Sequence, residues 1–381
     1  MKARVIAFYL PQFHPTVEND KFWGKGFTEW INVAKAKPLF RGHNQPRIPA
    51  DLGFYDLRMP EIREEQAKLA KEAGIEGFCY WHYWFGNGIQ TLERPFNEVL
   101  ESKEPDFPFC LGWANHSWTT KTWDKGKSKS DDTMIFEQKY PGVEDYKKHF
   151  YEILPALKDK RYITVDGKPL FYIWDPNNLP NPKEFINLWK KLAYKNGLQG
   201  MYFIAKVDPL GTLGFNNIKN VEDNFQEEYQ KILNMGFDAV NSHTLKYAEL
   251  NANGKLKKIF HALVRKYFSS VFIEKYKYKD IIRSFNTKED FQENIYPQLI
   301  PGRDRSPRSG KKAVIYYENT PEEFRIAVKN AISCVEKRNS EHRIIFLNSW
   351  NEWAEGAYME PDTTYGKSYI QVLREELEDD E

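Results

Sequence analysis

The sequence is poor in several things that would have decided its class at once. Three cysteines occur in 381 residues, an odd number without any CxxC spacing, which excludes a disulfide framework and a cysteine metal knuckle. Cys79 and Cys110 lie in apolar, strand-like runs; these two are expected to be buried, and all three, Cys334 included, to be reduced thiols. No apolar run approaches the roughly 18 residues of a membrane span. At the N-terminus Lys2 and Arg4 precede only Val5 to Leu10 before Pro11-Gln12 ends the run, too short for a signal core. A cytoplasmic chain with no membrane span is the expectation. Charge of one sign is lacking too: Lys plus Arg number 55 against 54 for Asp plus Glu, a formal net charge of +1, which leaves no electrostatic case for nucleic acid.

Phosphate loops are also missing. A doubly wound sheet usually carries a glycine-rich loop after its first strand, but that position holds Pro11-Gln12-Phe13-His14. Gly24-Lys25-Gly26 has no third glycine at the required offset, no GxxxxGK occurs, and no DxD is present to hold a metal-bound diphosphate. His14, His82 and His116 each follow a strand, yet no HxH or HxxxH pair exists, so neither metal nor cofactor is expected. No internal repeat or low-complexity tract is found.

Aromatic residues, by contrast, make up 15% of the chain, with 11 Trp and 22 Tyr. Many stand beside polar residues just after strands, where flat rings can cover the apolar faces of pyranoses. In chain order, apolar runs read as strands at Val5–Leu10, Gly77–Tyr80, Pro108–Gly112, Pro169–Ile173, Met201–Ala205, Phe237–Val240, Ala313–Tyr317 and from Ile344. Helix signals separate several of them: Pro60 with Gly74 as stop, Asn181-Pro182 with Gly197, and Thr320-Pro321 with Glu323 as a capping box. Eight strands alternating with helix-length segments describe an α/β fold of the (β/α)8 TIM-barrel type, its site at the C-terminal mouth. Residues 1–381 are read as one catalytic domain. Within it, residues 245–312, too long for an ordinary connection, are read as an inserted helical subdomain or lid between strands six and seven.

The chain is organised around Ile344 to Gly356. A short apolar run changes within one residue to Asn348-Ser349-Trp350-Asn351-Glu352-Trp353-Ala354-Glu355-Gly356. If the chain turns helically there, Glu352 and Glu355 are i,i+3 neighbours with Cβ atoms about 5 to 6 Å apart, close to the roughly 5 Å carboxyl separation of retaining glycosidases. So close a pair in a partly desolvated pocket cannot both ionise freely, and one member gains a raised pKa. Glu352 and Glu355 are therefore the candidate catalytic residues. Candidate sugar contacts follow the strand ends: Tyr9, Gln12, His14, Glu29 and Trp30; Trp81, His82, Tyr83 and Trp84; Trp113, Asn115 and Trp118; Trp174 and Asp175; Lys206; and Asn348, Asn351 and Trp353. Arg303, Arg305 and Arg308 in Pro301–Gly310 are either a solvated basic loop or contacts for an anionic substituent such as a phosphate or uronate.

The stretches Phe8–His14, Gly26–Trp30, Gly77–Trp84 and Asn348–Gly356 together resemble the WbsX family of bacterial polysaccharide and O-antigen gene clusters, named glycosyltransferases. The Asn351–Gly356 segment is in turn similar to glycoside hydrolase family 99, retaining endo-α-mannosidases and endomannanases built on a (β/α)8 barrel. The resemblance implies that Glu352 acts as base on the sugar's own 2-hydroxyl, through a 1,2-anhydro intermediate, and that Glu355 is the acid/base. Ala354 departs from the histidine common in the hydrolases. Pro301–Arg308 resembles a motif that more often reads PGWDNTPR, with Arg303 in place of Trp and Arg305-Ser306 in place of Asn-Thr. Three readings stand: a retaining, hydrolase-like enzyme on α-linked sugars of a surface polysaccharide or lipopolysaccharide; a sugar-nucleotide glycosyltransferase; and a non-catalytic glycan-binding protein. The expected partner is an oligosaccharide or polysaccharide, and nothing in the sequence assigns an oligomeric state.

Overall fold

The computed structural model describes residues 1–120, 132–213, 223–252 and 273–378. Strand β1 (Arg4–Tyr9) is buried at every position after Arg4, the unbroken apolar pattern of a strand covered on both faces. β2 (Ile75–His82), β3 (Phe109–Trp113), β4 (Lys168–Ile173), β5 (Tyr202–Val207) and β6 (Ala239–Ser242) follow the same logic, each pairing in parallel with its predecessor. β7 consists of two short segments, Ile295–Tyr296 and Gln298–Leu299. The first pairs with β6; the second pairs with β8 (Ile344–Leu347), which returns to β1 with Val5 opposite Ile345. Between the two segments Pro297 has no N–H to give, but its carbonyl accepts from Phe346 N at 3.1 Å. The nine parallel segments thus form eight staves and the sheet meets itself: a (β/α)8 barrel.

Alternate residues fill the interior. Phe8 of β1 stacks on Trp81 of β2 (centroids 4.6 Å apart, planes within 5°) and packs against Tyr172 and Phe346. Outside, the helices begin where proline and caps dictate. Pro182–Lys195 is capped by Asn181, whose side chain accepts from Glu184 N, and Pro321–Val335 by Thr320, which accepts from Glu323 N. The faces they turn inward, such as Phe185, Trp189 and Leu192, are buried. Cys79, Cys110 and Cys334 are buried and unbridged. Among the described residues no helix is long and apolar enough to cross a membrane.

One expected strand is displaced. The run predicted as the seventh stave lies outside the barrel: Val314–Tyr317 pairs in parallel with Glu274–Lys277 in a separate two-stranded sheet. Its end residues are only half-buried, whereas all four paired residues of β7 are buried. Of the range read as an insertion, residues 253–272 lie outside the described residues. Within the rest, residues 295–299 belong to the barrel wall and Arg303–Arg308 reach its mouth.

Candidate active site

A cavity of about 640 Å³ opens where the C-terminal ends of the staves converge. Trp81 forms part of its floor, resting on Phe8. Tyr83, Trp118 and Trp174 supply further ring surface; Glu352 and Glu355 stand on the side of β8.

The loop after β8 is tied down at several points. Trp350 N donates to Phe8 O (2.8 Å), Leu10 N donates to Asn351 Oδ1 (2.7 Å) and Asn351 Nδ2 donates to Leu10 O (3.0 Å). Asn351–Glu352 then pairs antiparallel with Ala357–Tyr358, and the residues between, Trp353–Glu355, make one 3-10 turn. The chain turns helically only after Glu352, which stays in the two-residue strand, so the two glutamates stand at either end of a tight 3-10 turn. Gly356 closes the turn at φ 62°, and a Cβ there would stand 2.6 Å from Asp304 N. That N–H donates to Glu355 O at 2.6 Å, so only glycine lets the two segments meet.

The segment Arg303–Arg308 is fixed by Asp304. Its carboxylate accepts from Gln45 Nε2 (2.7 Å) and from Ser306 N (3.0 Å), and lies 2.8 Å from His43 Nε2. Arg308 makes a two-pronged ion pair with fully buried Glu29, Nε to Oε1 at 3.0 Å and Nη2 to Oε2 at 2.9 Å. Its remaining nitrogen, Nη1, lies 2.5 Å from Glu355 Oε1, and Arg305 Nη2 lies 3.1 Å from the same oxygen.

The two carboxyls consequently differ. Burial, with the negative charge of Glu355 adding to it, pushes Glu352 up to about 7. Burial also works on Glu355, but Arg305, Arg308 and Arg303 outweigh it and hold that carboxylate well below its usual range. Below about pH 7 the pair therefore holds one proton, which rests on Glu352. Burial likewise lowers Lys206 to about 8, its Nζ 3.4 Å from the centroid of the Trp174 ring. His116 and His243, pulled down by burial and by Lys206, are neutral imidazoles on the cavity wall.

Of the residues expected to touch a sugar, Trp81, Tyr83, Trp118, Trp174, Lys206 and Asn348 line the cavity, as do Arg303, Arg305 and Arg308. The others are bound into the framework behind it. Tyr9 OH donates to Gln66, Trp30 Nε1 to Tyr55 O, Trp84 Nε1 to Asp145, Trp113 Nε1 to Trp84 O, and Trp353 Nε1 to Glu360. His82 meets His149 at 2.8 Å between their Nε2 atoms. Asn115 exchanges two hydrogen bonds with the Asp175 backbone, and Asp175 caps the 3-10 turn Pro176–Asn178. Asn351 anchors the loop after β8 and Glu29 holds Arg308. Gln12 and His14 are buried without facing the cavity.

Sequence reasoning passed over Lys246 and Glu249, which line the cavity from the start of the connection after β6. That stretch carries no strand-end signature to mark it. Asp208 and His243, by contrast, directly follow staves, and that position was the available signal. Among the described residues no group of three or more His, Cys, Asp or Glu is placed to hold a metal ion.

Comparison with known proteins adds a sequence match and a set of shared folds. The family described as Glycosyltransferase WbsX matches residues 5–373. The uncharacterized protein WxcX of Xanthomonas campestris pv. campestris, in two strains, is 34% identical over 378 residues, covering 99% of this chain and 50% of that one. The chain spans about half the length of the curated relatives it matches. Among solved structures, a glycoside hydrolase-like protein superposes with a TM-score of 0.58 at 17% identity, over 99% of this chain and 94% of the other. A GH99 endo-alpha-mannosidase from Bacteroides thetaiotaomicron, in complex with Bis-Tris-propane, gives 0.56 at 15% identity over 99% and 96%. These likenesses are of fold.

Proposed function

The chain belongs to the WbsX glycosyltransferase family, and from that premise we propose that it is a carbohydrate-active enzyme cleaving or transferring α-linked sugars of a bacterial surface polysaccharide, with Glu352 and Glu355 at the reacting carbon. The observation that carries this reading is the pair itself: two carboxyls flanking one turn at a ring-lined barrel mouth, with Arg305 and Arg308 against Glu355 and, among the described residues, none against Glu352, so that burial pushes Glu352 up while the arginines hold Glu355 down. Breaking an acetal needs that division, one group to protonate the leaving oxygen and one to meet positive charge on the sugar.

In this reading Glu352 gives its proton to the departing oxygen as the anomeric bond breaks. Glu355, held by Arg305 and Arg308, stays an anion beside the developing oxocarbenium ion, which water or an acceptor hydroxyl captures as it returns a proton to Glu352. The resting protonation is opposite to the roles implied by resemblance to the hydrolases, in which the first glutamate takes a proton and the second gives one. For Glu355 to act as acid, its arginines would first have to let go; for Glu352 nothing has to move. Trp81 and Trp174 offer faces for pyranose rings, and neutral His116 and His243 offer hydrogen bonds to hydroxyls.

The test is turnover of defined α-mannosides and of surface polysaccharide by the wild-type chain and by E352Q and E355Q. Full activity in both variants would end this reading. Turnover that vanishes in the variants excludes a purely glycan-binding role. The family's description favours a second reading, transfer from a sugar nucleotide, and calorimetry against a panel of nucleotide sugars separates the two, since a clear binder would favour the donor-dependent transferase.

A further inference from the structure

The cations of the cavity are not equally occupied. Arg308 is taken up by Glu29 and Glu355, Arg305 by Glu355, and Lys246 by Asp208 at 2.8 Å. Lys206 and Arg303 are different. Among the described residues neither has an ion-pair partner, and Arg303 Nε has no hydrogen-bond acceptor. Lys206 meets only the Trp174 ring. Both line the same cavity as the glutamate pair; Arg303 is near enough to act on Lys206, and both act on His243.

Carboxylates act on both from beyond ion-pair distance, Asp208 and Asp175 on Lys206, and Glu355, Glu249 and Glu352 on Arg303. A buried cation held only at that range, or by a ring face, is incompletely compensated for its lost hydration. His243, the ionisable group they share, is neutral and cannot offset them. A neutral sugar would leave both without a directly bonded counter-charge, because hydroxyl groups carry no charge. An oxyanion would satisfy both donors at once, with the arginine able to bind it through two nitrogens.

We infer that Lys206 and Arg303 form a subsite for an oxyanion carried by the sugar, so that the substrate is an acidic glycan bearing a carboxylate or phosphate ester next to the bond acted on. The inference rests on the proposed function for what happens to that glycan, but not for its binding. Lys206 brings the subsite to the end of β5, and Arg303 brings it beside the loop after β8, since the adjoining Asp304 N donates to Glu355 O. Arg305 and Arg308 take no direct part, since moving either off Glu355 would uncover that carboxylate.

Calorimetry on the full chain tests this with matched ligands: a uronate-containing α-linked disaccharide, its carboxyl-reduced neutral form, and the corresponding sugar phosphate. The expected result is at least tenfold tighter binding of one charged form than of the neutral one, lost in K206Q and R303Q and largely restored in K206R and R303K. The carboxylate and phosphate arms identify which oxyanion fits. Equal binding of charged and neutral forms overturns the inference, as does a charge preference that survives in the K206Q/R303Q double variant; circular dichroism and the thermal midpoint establish that the variants are folded. The same titrations with E352Q keep the two proposals apart. Charge preference retained where turnover proves independent of the glutamates leaves the subsite standing without the proposed chemistry. Glutamate-dependent turnover with no charge preference removes the subsite alone.

Discussion

Arg308 grips Glu29 through two parallel hydrogen bonds, Nε to Oε1 at 3.0 Å and Nη2 to Oε2 at 2.9 Å, and Glu29 is fully buried. The helix Glu29–Lys35 thereby holds the guanidinium whose third nitrogen faces Glu355. A residue expected from sequence to be a sugar contact is placed instead to position one of the cations that hold Glu355 ionised.

Removing that cation leaves a buried carboxylate alone. R308Q should lower unfolding stability by about 3 to 5 kcal/mol, the usual cost of breaking a buried pair from one side. E29Q combined with R308Q should recover a substantial part of it, because both charges are then gone. Urea unfolding of R308Q, E29Q and the double variant forms the cycle; equal stability of R308Q and wild type would contradict the arrangement.

Substrates with different leaving groups separate the two glutamates. E352Q should lose on the order of 10² to 10⁴ in kcat on an unactivated α-glycoside, the usual contribution of a positioned acid, yet keep much more of its rate on a nitrophenyl α-glycoside, whose leaving group needs no proton. E355Q should be impaired on both. The opposite pattern would make Glu355 the donor.

The pH dependence follows from the same carboxyl. Glu352 titrates near 7, so activity that uses its proton should fall as pH rises through 7. The folded value lies above the ordinary 4.5 of the unfolded chain, so the folded state holds the proton more tightly. The associated stability is complete below about pH 4.5 and is lost as pH rises through about 7. E352Q, unable to ionise, should therefore be more stable than wild type at pH 8, by on the order of 2 kcal/mol after allowance for partial exposure, and should show no gain at pH 4. Thermal midpoints at the two pH values check this.

At Gly356 both backbone angle and space are restrictive. G356A should destabilise the chain by about 1 to 3 kcal/mol for the left-handed conformation, with more for the 2.6 Å approach to Asp304 N. Because that N–H bonds the carbonyl of Glu355, activity should fall further than stability alone explains, measurable as a drop in kcat at a temperature where the variant remains folded.

Most of the barrel could be read from the sequence because its staves are apolar on both faces and end abruptly in polar and aromatic residues. β1 and β8 are the clearest cases. β7 was hidden for the complementary reason: Ile295–Leu299 is interrupted by Pro297 and Gln298, so it never forms an apolar run, and the more hydrophobic Val314–Tyr317 drew the assignment. In the site, Glu352, Glu355 and the tryptophans followed from strand-end position. Which of them face inward did not: Trp84 and Trp113 differ from Trp81 and Trp118 only in the direction of the side chain, which is set by Asp145, His149 and other groups distant in sequence. The division of protons within the pair depends on Arg305 and Arg308 lying against Glu355, a contact spanning up to 50 residues that no local pattern reports.

The two hydrogen bonds between Asn351 and Leu10 join positions 341 residues apart, and the first stave is flanked by the last. One edge of β1 therefore stays bare during synthesis until the residues through 351 have emerged to pair with it. A fragment that lacks either stretch cannot assemble both halves of the mouth, so the fold imposes an all-or-nothing completion on the cavity.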